Sequence, residues 1–344
     1  LELIKNKLNI DKELYTWLRE IMNYDGAIFE EYPFPDKHYS RIAIGDYDND
    51  NYNDLLFDGH SLWHNDSGKG FSDVSDTMNV ANLSANGALW ADFNRDGYLD
   101  FVTISHHSEG LGESLMKNQE GLRFVKVNER SGDVDDHYPT EGAAWIDIDA
   151  AGYPSLYCAN YEQWQIRSGY PDFFWYNDHS YFKDESVKRG FRTPEYADNP
   201  GLAGRGVAPA DFDNDGKQEI LVTNYRLNRN FCWDQKDSIF VDVAALYGLA
   251  GHYKNGYYGH SIGADWGDFD NDGDLDLFVA NLAHPRFIEI SDISQLLKND
   301  GIGYKVIESD TLWFWQFTDI TKLAGISYDE CHSDPLWVDV DNDG

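Results

Sequence analysis

The run Asp268-Phe-Asp270-Asn-Asp272-Gly273-Asp274-Leu-Asp276 carries carboxylates at positions 1, 3, 5, 7 and 9 of nine residues. The same frame recurs at Asp46-Tyr-Asp48-Asn-Asp50-Asn51-Tyr52-Asn-Asp54, at Asp92-Phe-Asn94-Arg-Asp96-Gly97-Tyr98-Leu-Asp100 and at Asp211-Phe-Asp213-Asn-Asp215-Gly216-Lys217-Gln-Glu219. A degraded copy stands at Asp147-Ile-Asp149-Ala-Ala151-Gly152-Tyr-Pro-Ser155. A sixth, Asp339-Val-Asp341-Asn-Asp343-Gly344, opens as the sequence stops. A single Asp/Asn/Gly cluster is an ordinary solvated turn. Six copies of one spacing call for a cause, and oxygens converging from positions 1, 3, 5 and 9 of a short turn suit a hard cation.

Calcium accepts six to eight oxygens at loose geometry, whereas magnesium keeps its waters in a tight octahedron. Carboxylates at those four positions plus a backbone carbonyl at position 7 (Tyr52, Tyr98, Lys217 or Asp274) suit the larger ion, so about four to five structural calcium ions are expected. Position 6 is glycine except at Asn51, because the chain must turn there with positive φ. The loop at Asp147 lacks two of the carboxylates and is expected to hold metal weakly or not at all. An EF-hand would need a glutamate at position 12; Phe57, Thr103, Val222 and Val279 stand there instead.

Short apolar runs flank each loop. Arg41–Gly45, Gly87–Ala91, Gly142–Ile146, Gly206–Ala210, Gly263–Gly267 and Asp334–Val338 precede the loops, and Leu55–Phe57, Phe101–Ile104, Leu156–Ala159, Ile220–Thr223 and Leu277–Ala280 follow. Each pair reads as a β-hairpin stapled by its loop. A second pair of extended segments follows in four of the units, such as Leu62–Asn65 with Gly70–Val74. First aspartates at 46, 92, 147, 211, 268 and 339 make repeats of four strands each, the size of propeller blades. The fold class is therefore all-β: a β-propeller of four-stranded blades, five complete here with part of a sixth, over 36–344, and truncated at its C-terminal end. Segment 1–35 reads as a lead-in with a helix over Asp11–Asn23, since Asp11 can cap it and Leu14, Leu18 and Met22 share a face.

These Asp-x-Asp-x-Asp-Gly-x-x-Asp loops between small-residue strands resemble the FG-GAP or VCBS repeats of integrin α-subunit propellers. Leu62-Trp-His-Asn65, Phe71-Ser-Asp-Val74 and Phe317-Thr-Asp-Ile-Thr-Lys-Leu-Ala-Gly-Ile326 are similar to the branch that includes cartilage acidic protein and the ASPIC/UnbV proteins. The resemblance spans roughly 36–344. It implies fold and metal, but not one function, since such propellers serve adhesion, glycan binding and occasionally lyase chemistry.

The formal charge is −34, with 61 acidic residues, about a third of them in the six loops. That balance argues against nucleic acid or an anionic membrane as partner. No run of about 18 apolar residues is present, so no membrane span is expected. The carboxylate-rich loops suit millimolar calcium outside cells, and the opening at Leu1 without Met suggests a processed N-terminus; a secreted or cell-surface protein is expected. Cys158, Cys232 and Cys331 have no metal or redox spacing and read as buried small hydrophobes. Because the hairpin opened at Asp339 lacks its second strand, the full protein is expected to continue and to close as a seven-bladed ring.

Antiparallel blades put the calcium turns on one face and the second-to-third loops and inter-blade loops on the other. The second face collects aromatic, histidine and arginine residues: His137, Tyr138, Trp164, Arg205, Arg226, Tyr257, His260, His284 and His332 are the candidate ligand residues. They suit a sugar ring or a protein partner equally. A catalytic reading draws on His260, His332 and Arg205, taken to lie just upstream of the channel-lining strands, and would make a polysaccharide lyase. No Ser-His-Asp elbow or zinc motif fixes a nucleophile or base, so an adhesion-type binding module is the favoured expectation and catalysis the second.

Overall fold

In a computed structural model the chain divides into Leu1–His38 and Tyr39–Gly344. The structure describes residues 39–105, 112–163, 168–191, 202–283, 286, 291–307, 310–328 and 332–338. The expected helix at Asp11–Asn23, Trp164, His284 and the sixth loop with Asp339, Asp341 and Asp343 lie outside them.

The described residues form five four-stranded antiparallel sheets. Blade 1 is Ile42–Gly45, Asp54–Phe57, Ser61–Asn65 and Phe71–Asp73; blade 2 is Gly87–Ala91, Asp100–Ile104, Leu115–Asn118 and Phe124–Lys126. Blade 3 is Thr140–Ile146, Ser155–Asn160, Phe173–Asn177 and Phe182–Asp184; blade 4 is Gly204–Ala210, Glu219–Asn224, Phe231–Lys236 and Ile239–Asp242. Blade 5 is Ser261–Gly267, Asp276–Asn281, Gln295–Ile307 and Asp310–Asp319. Every sheet is a meander in chain order, and the innermost strands of successive blades lie side by side.

Period-two alternation explains why the second strands of blades 2, 3 and 4 are buried throughout: each faces two neighbours. In Ser155–Asn160, Leu156 and Cys158 enter the core shared with blade 2, while Tyr157 and Ala159 enter the core shared with blade 4. Four apolar cores fill the four interfaces between the five blades. Cys158 and Cys232 are buried in them, as their apolar reading requires. Position 2 of the first four loops plugs the next interface: Tyr47, Phe93, Ile148 and Phe212 are each at most 5% exposed. Burying a Phe this completely contributes about 1.5–3 kcal/mol.

Glycines let the inner strands crowd. A Cβ on Gly142 would sit 2.1 Å from the Arg205 carbonyl oxygen, and one on Gly263 would sit 2.4 Å from that of Ser333. The segment 332–338 thus runs beside blade 5, with the Trp337 indole donating to the Asp265 carbonyl at 3.0 Å. It forms no strand, unlike the run expected at Asp334–Val338. Three elements were not foreseen: the long outer hairpin of blade 5, the short pair Glu162–Gln163 with Ser168–Gly169, and the one-turn helix Ala244–Tyr247. Among the described residues no helix is long and apolar enough to cross a membrane.

Candidate metal loops and ligand face

The five loops share one hydrogen-bond plan. The position 1 carboxylate accepts the N–H groups of positions 5 and 6, as Asp211 does from Asp215 at 3.0 Å and Gly216 at 2.9 Å. Asp46, Asp92 and Asp268 do the same, and Asp147 accepts from Gly152 at 2.8 Å. The position 5 carboxylates of Asp50, Asp96, Asp215 and Asp272 then accept the N–H of Tyr52, Tyr98, Lys217 and Asp274. This winding needs positive φ twice. Position 6 has it as expected, and so does position 4, at Asn49, Arg95, Ala150, Asn214 and Asn271 with φ between 55° and 63°. Three of those five are Asn, the residue most tolerant of that region after Gly.

Position 9 lies deepest: Asp54, Asp100 and Asp276 are fully buried and Glu219 is 1% exposed. Asp54, Asp100 and Asp276 accept the backbone N–H of Asn65, Asn118 and Asn299 at 2.7–2.8 Å, tying the second strand to the third. Burial pushes the Asp54 carboxyl up to about 6 and Asp100 to about 8. Glu219 rises to about 9 through burial and then through Asp213 and Asp234. Its Oε2 is buried without a hydrogen-bond partner. Oxygens of Asp46, Asp48 and Asp50, of Asp211, Asp213 and Glu219, and of Asp268, Asp270 and Asp276 lie within 4.8 Å of one another. All-oxygen donors, mutual repulsion and an orphaned carboxylate oxygen fit a hard cation.

The third strand supplies residues that sequence spacing did not single out. A carboxamide on each blade bonds its own loop or the loop before it: Asn118 Nδ2 donates to the Tyr47 and Leu99 carbonyls at 2.8 and 2.9 Å, and Asn177 Nδ2 to those of Phe93 and Pro154 at 2.8 and 3.0 Å. Gln235 and Asn299 repeat the link to Ile148 and Phe212. The repeated His/Lys/Tyr-Asn ending of those strands was the available signal. In the degraded loop, Arg95 Nη1 donates to the Ala151 carbonyl at 2.7 Å and Tyr176 to Asp149 at 3.0 Å.

At the other ends of the same strands, residues from blades 3, 4 and 5 meet. Arg205 lies within its inner strand, not upstream of it as expected, because Gly204 pairs with Asn224 across a bulge that lengthens the strand. Its guanidinium stands 5.3 Å from the ring centres of both Tyr161 and Tyr225. Arg226 pairs with the buried Glu162 at 2.6 Å and lies 5.2 Å from the Tyr225 ring. His260 packs against Tyr225 at 4.5 Å. Its Nδ1 is buried without a partner, and burial, then Arg226, lower the imidazole to about 4. Beside this cluster a cavity of about 550 Å³ is lined by the inner strands of all five blades and by Ser333 and Asp334. In its wall Glu141 bridges Arg41 at 2.7 Å and Arg205 at 3.6 Å.

The other described candidate ligand residues make contacts outside this cluster. His137 is exposed and pairs with Asp135 at 2.8 Å. Tyr138 stacks on Tyr170 at 4.5 Å. Tyr257 is exposed in a bridge with Lys254, and His332 shares a hydrogen bond with Ser294 at 2.7 Å. Tyr161, Tyr225 and Glu162 complete the cluster instead.

The chain is similar in part to several known proteins. Cartilage acidic protein 1 of Xenopus tropicalis is 26% identical over 196 residues, 54% of this chain; the chain spans 28% of that relative's length. Similar solved structures include an Agrocybe aegerita lectin studied for recognition of non-reducing terminal N-acetylglucosamine, at TM-score 0.44 and 14% identity, covering 76% of this chain and 63% of that one. They also include the Vibrio cholerae biofilm matrix protein Bap1, at TM-score 0.37 and 12% identity over 75% of this chain and 37% of that one. A Bacillus licheniformis rhamnogalacturonan lyase scores 0.37 at 15% identity, over 70% of this chain and 46% of that one. Residues 211–279 match the FG-GAP-like repeat family, so the chain carries the repeat that its carboxylate loops resemble.

Proposed function

We propose that the chain is a calcium-stabilised β-propeller that binds a protein or glycan on the face opposite its metal loops. The observation that carries this reading is the meeting of Arg205, Tyr161, Tyr225, Arg226 and His260 beside the cavity. Arg205 and Asp211 occupy opposite ends of one extended strand, about 20 Å apart. Metal binding and ligand binding are therefore separate jobs on one blade. Planar guanidinium groups held on aromatic rings are desolvated and fixed, which suits carboxylates, sugar hydroxyls or a partner's backbone carbonyls. Asp46, Asp48, Asp50, Asp54 and their counterparts in blades 2, 4 and 5 would hold calcium, which supplies the positive charge that lets the buried carboxylates stay ionised. Similarity to cartilage acidic protein 1 and the carboxylate-rich loops support an extracellular setting.

The test is a glycan and extracellular-protein array in calcium, repeated with Arg205→Ala and Tyr225→Ala. Loss of a hit in both variants, with calcium-dependent melting unchanged, supports the face. Hits that survive both variants refute it.

One observation favours lyase chemistry as a second reading. A neutral His260 with an unpartnered Nδ1 could accept a proton, though as a weak base, next to Arg226, which would neutralise a uronate carboxylate. Growth of unsaturated-uronide absorbance, lost in His260→Ala, would establish it; no absorbance gain across an acidic polysaccharide panel would rule it out.

A further inference from the structure

One third-strand position, the residue before each blade's carboxamide, faces the metal loop of its own blade, and its chemistry differs from blade to blade. In blade 2 it is Lys117, whose Nζ lies 3.0 Å from Asp96 and 3.5 Å from Asn94 Oδ1. In blade 5 it is Lys298, bonded to Asp270 and, at 2.9 Å, to Asp272. In blade 1 it is His64, with Nδ1 3.2 Å from Asp54 and 3.5 Å from Asp48. Blade 3 has Tyr176, whose hydroxyl donates to Asp149. Blade 4 alone among these has an acid, Asp234, which adds its charge to Asp213 and Glu219.

We propose that Lys117 and Lys298 are built-in counter-ions. Each ammonium group sits among its loop's carboxylates when calcium is absent and must withdraw when calcium enters, so the loops of blades 2 and 5 load last and that of blade 4 loads first. This rests on the calcium reading given above. Position 3 and position 5 oxygens engaged by an ammonium are the ones a calcium ion needs, and the two cations exclude each other on charge and space. The side chains are placed to retreat, since Lys117 is 40% and Lys298 26% exposed on long flexible stems. In blade 4 the lysines stand aside: Lys217 is 3.5 Å from Asp215, and Lys236 pairs with Asp234 at 2.8 Å. Lys236 acts on Asp213 and Glu219 only through space, its ammonium being held by Asp234, and Glu219 Oε2, nine-tenths buried or more, stays without a partner. The loop with the least internal compensation has the largest demand for a cation.

The experiment titrates the metal-free chain with calcium by calorimetry, counts bound ions by native mass spectrometry, and repeats both with Lys117→Met, Lys298→Met and the charge-keeping Lys298→Arg. Methionine keeps the stem's packing and removes the charge. Wild type should fill in at least two affinity classes. Each Met variant should tighten one ion of the weaker class by roughly fivefold, the scale of one exposed ion pair, and should melt earlier than wild type in chelator, while Lys298→Arg behaves as wild type. Calcium binding by all forms in identical classes would overturn the proposal and leave the calcium reading standing. No calcium bound to wild type would overturn both.

Discussion

Glu219→Gln should change sign between chelator and calcium. In the metal-free chain the Glu219 carboxyl is held at about 9 by burial and by Asp213 and Asp234, against an ordinary 4.5. At pH 7.5 the unfolded chain carries it ionised, whereas the folded chain must take up a proton. That difference of three pH units costs folding up to about 4 kcal/mol. Glutamine reproduces the protonated shape without proton uptake, but leaves an amide N–H to be satisfied in a buried site, which returns about 1–3 kcal/mol of the gain. The variant should therefore be more stable than wild type in chelator by about 1–3 kcal/mol, a rise of several degrees at most in melting temperature for a chain of this size. In saturating calcium the order reverses. Calcium binds the ionised carboxylate, and its contribution to stability grows as RT ln(1 + [Ca]/Kd). A neutral ligand weakens Kd, so the variant should melt below wild type. Paired melts at pH 7.5 in chelator and in 5–10 mM calcium measure both signs. A variant less stable than wild type in both conditions would mean that Glu219 acts through packing alone and that no cation relieves it.

The same linkage gives a pH profile. Asp54, Asp100 and Glu219 have folded values raised to about 6, 8 and 9, so the folded metal-free chain binds more protons than the unfolded chain from pH 4 to 9. Its stability should fall as pH rises through that window; calcium affinity should rise over it, with proton release visible as a buffer-dependent heat, and a flat chelator profile would refute the proton uptake that burial imposes on these carboxyls. Asn177→Ala removes two donors, to Phe93 and Pro154, and should lower chemical-denaturation stability by about 2–3 kcal/mol with calcium or without. Gly142→Ala would press a methyl 2.1 Å from the Arg205 carbonyl and should lower the yield of folded protein sharply. Gly97→Ala meets open space at φ 88°, and about 1–2 kcal/mol is expected from conformation alone. Equal effects at the two glycines would refute the close approach of the inner strands.

The loops made the fold legible because a metal cage fixes spacing more strictly than packing does. Once position 1 and position 9 were placed, the strands on either side followed from their apolar runs, and Gly87–Ala91 begins and ends where the sequence puts it. The alternation within Ser155–Asn160 was less legible: both faces are buried, so the run reads as uniformly apolar. Tertiary partners hid the rest. Glu141 and Arg41 are a hundred residues apart, and nothing local marks them as a pair across the cavity. Arg205, Arg226 and His260 were visible as residue types on the face opposite the loops, but their partners Tyr161 and Tyr225 gain meaning only when three blades meet. The positive φ at position 4 could have been read from its asparagines, and the third-strand carboxamides from their recurrence after Trp-His, Met-Lys, Trp-Tyr and Leu-Lys.

Those carboxamides also bear on how calcium removal would spread. Asn118, Asn177, Gln235 and Asn299 each bond the backbone of the preceding blade's loop, and the first two, like Asn299, bond their own loop as well. The accepting carbonyl on the preceding loop belongs to position 2, whose side chain fills the interface between the same two blades. A loop that loses its cation and relaxes would shift that carbonyl and the core residue together, so disorder passes to the neighbour through packing and a hydrogen bond at once. The Arg205 cluster is joined to the blade 4 loop along the strand Gly204–Ala210. Partial loss of calcium should thus broaden the melting transition before it weakens binding, whereas a ligand on the cluster should raise the final melting step without changing how many ions are bound. If binding and ion count instead fell in strict proportion from the first ion removed, the two faces would share a site and their separation along the strands would be mistaken.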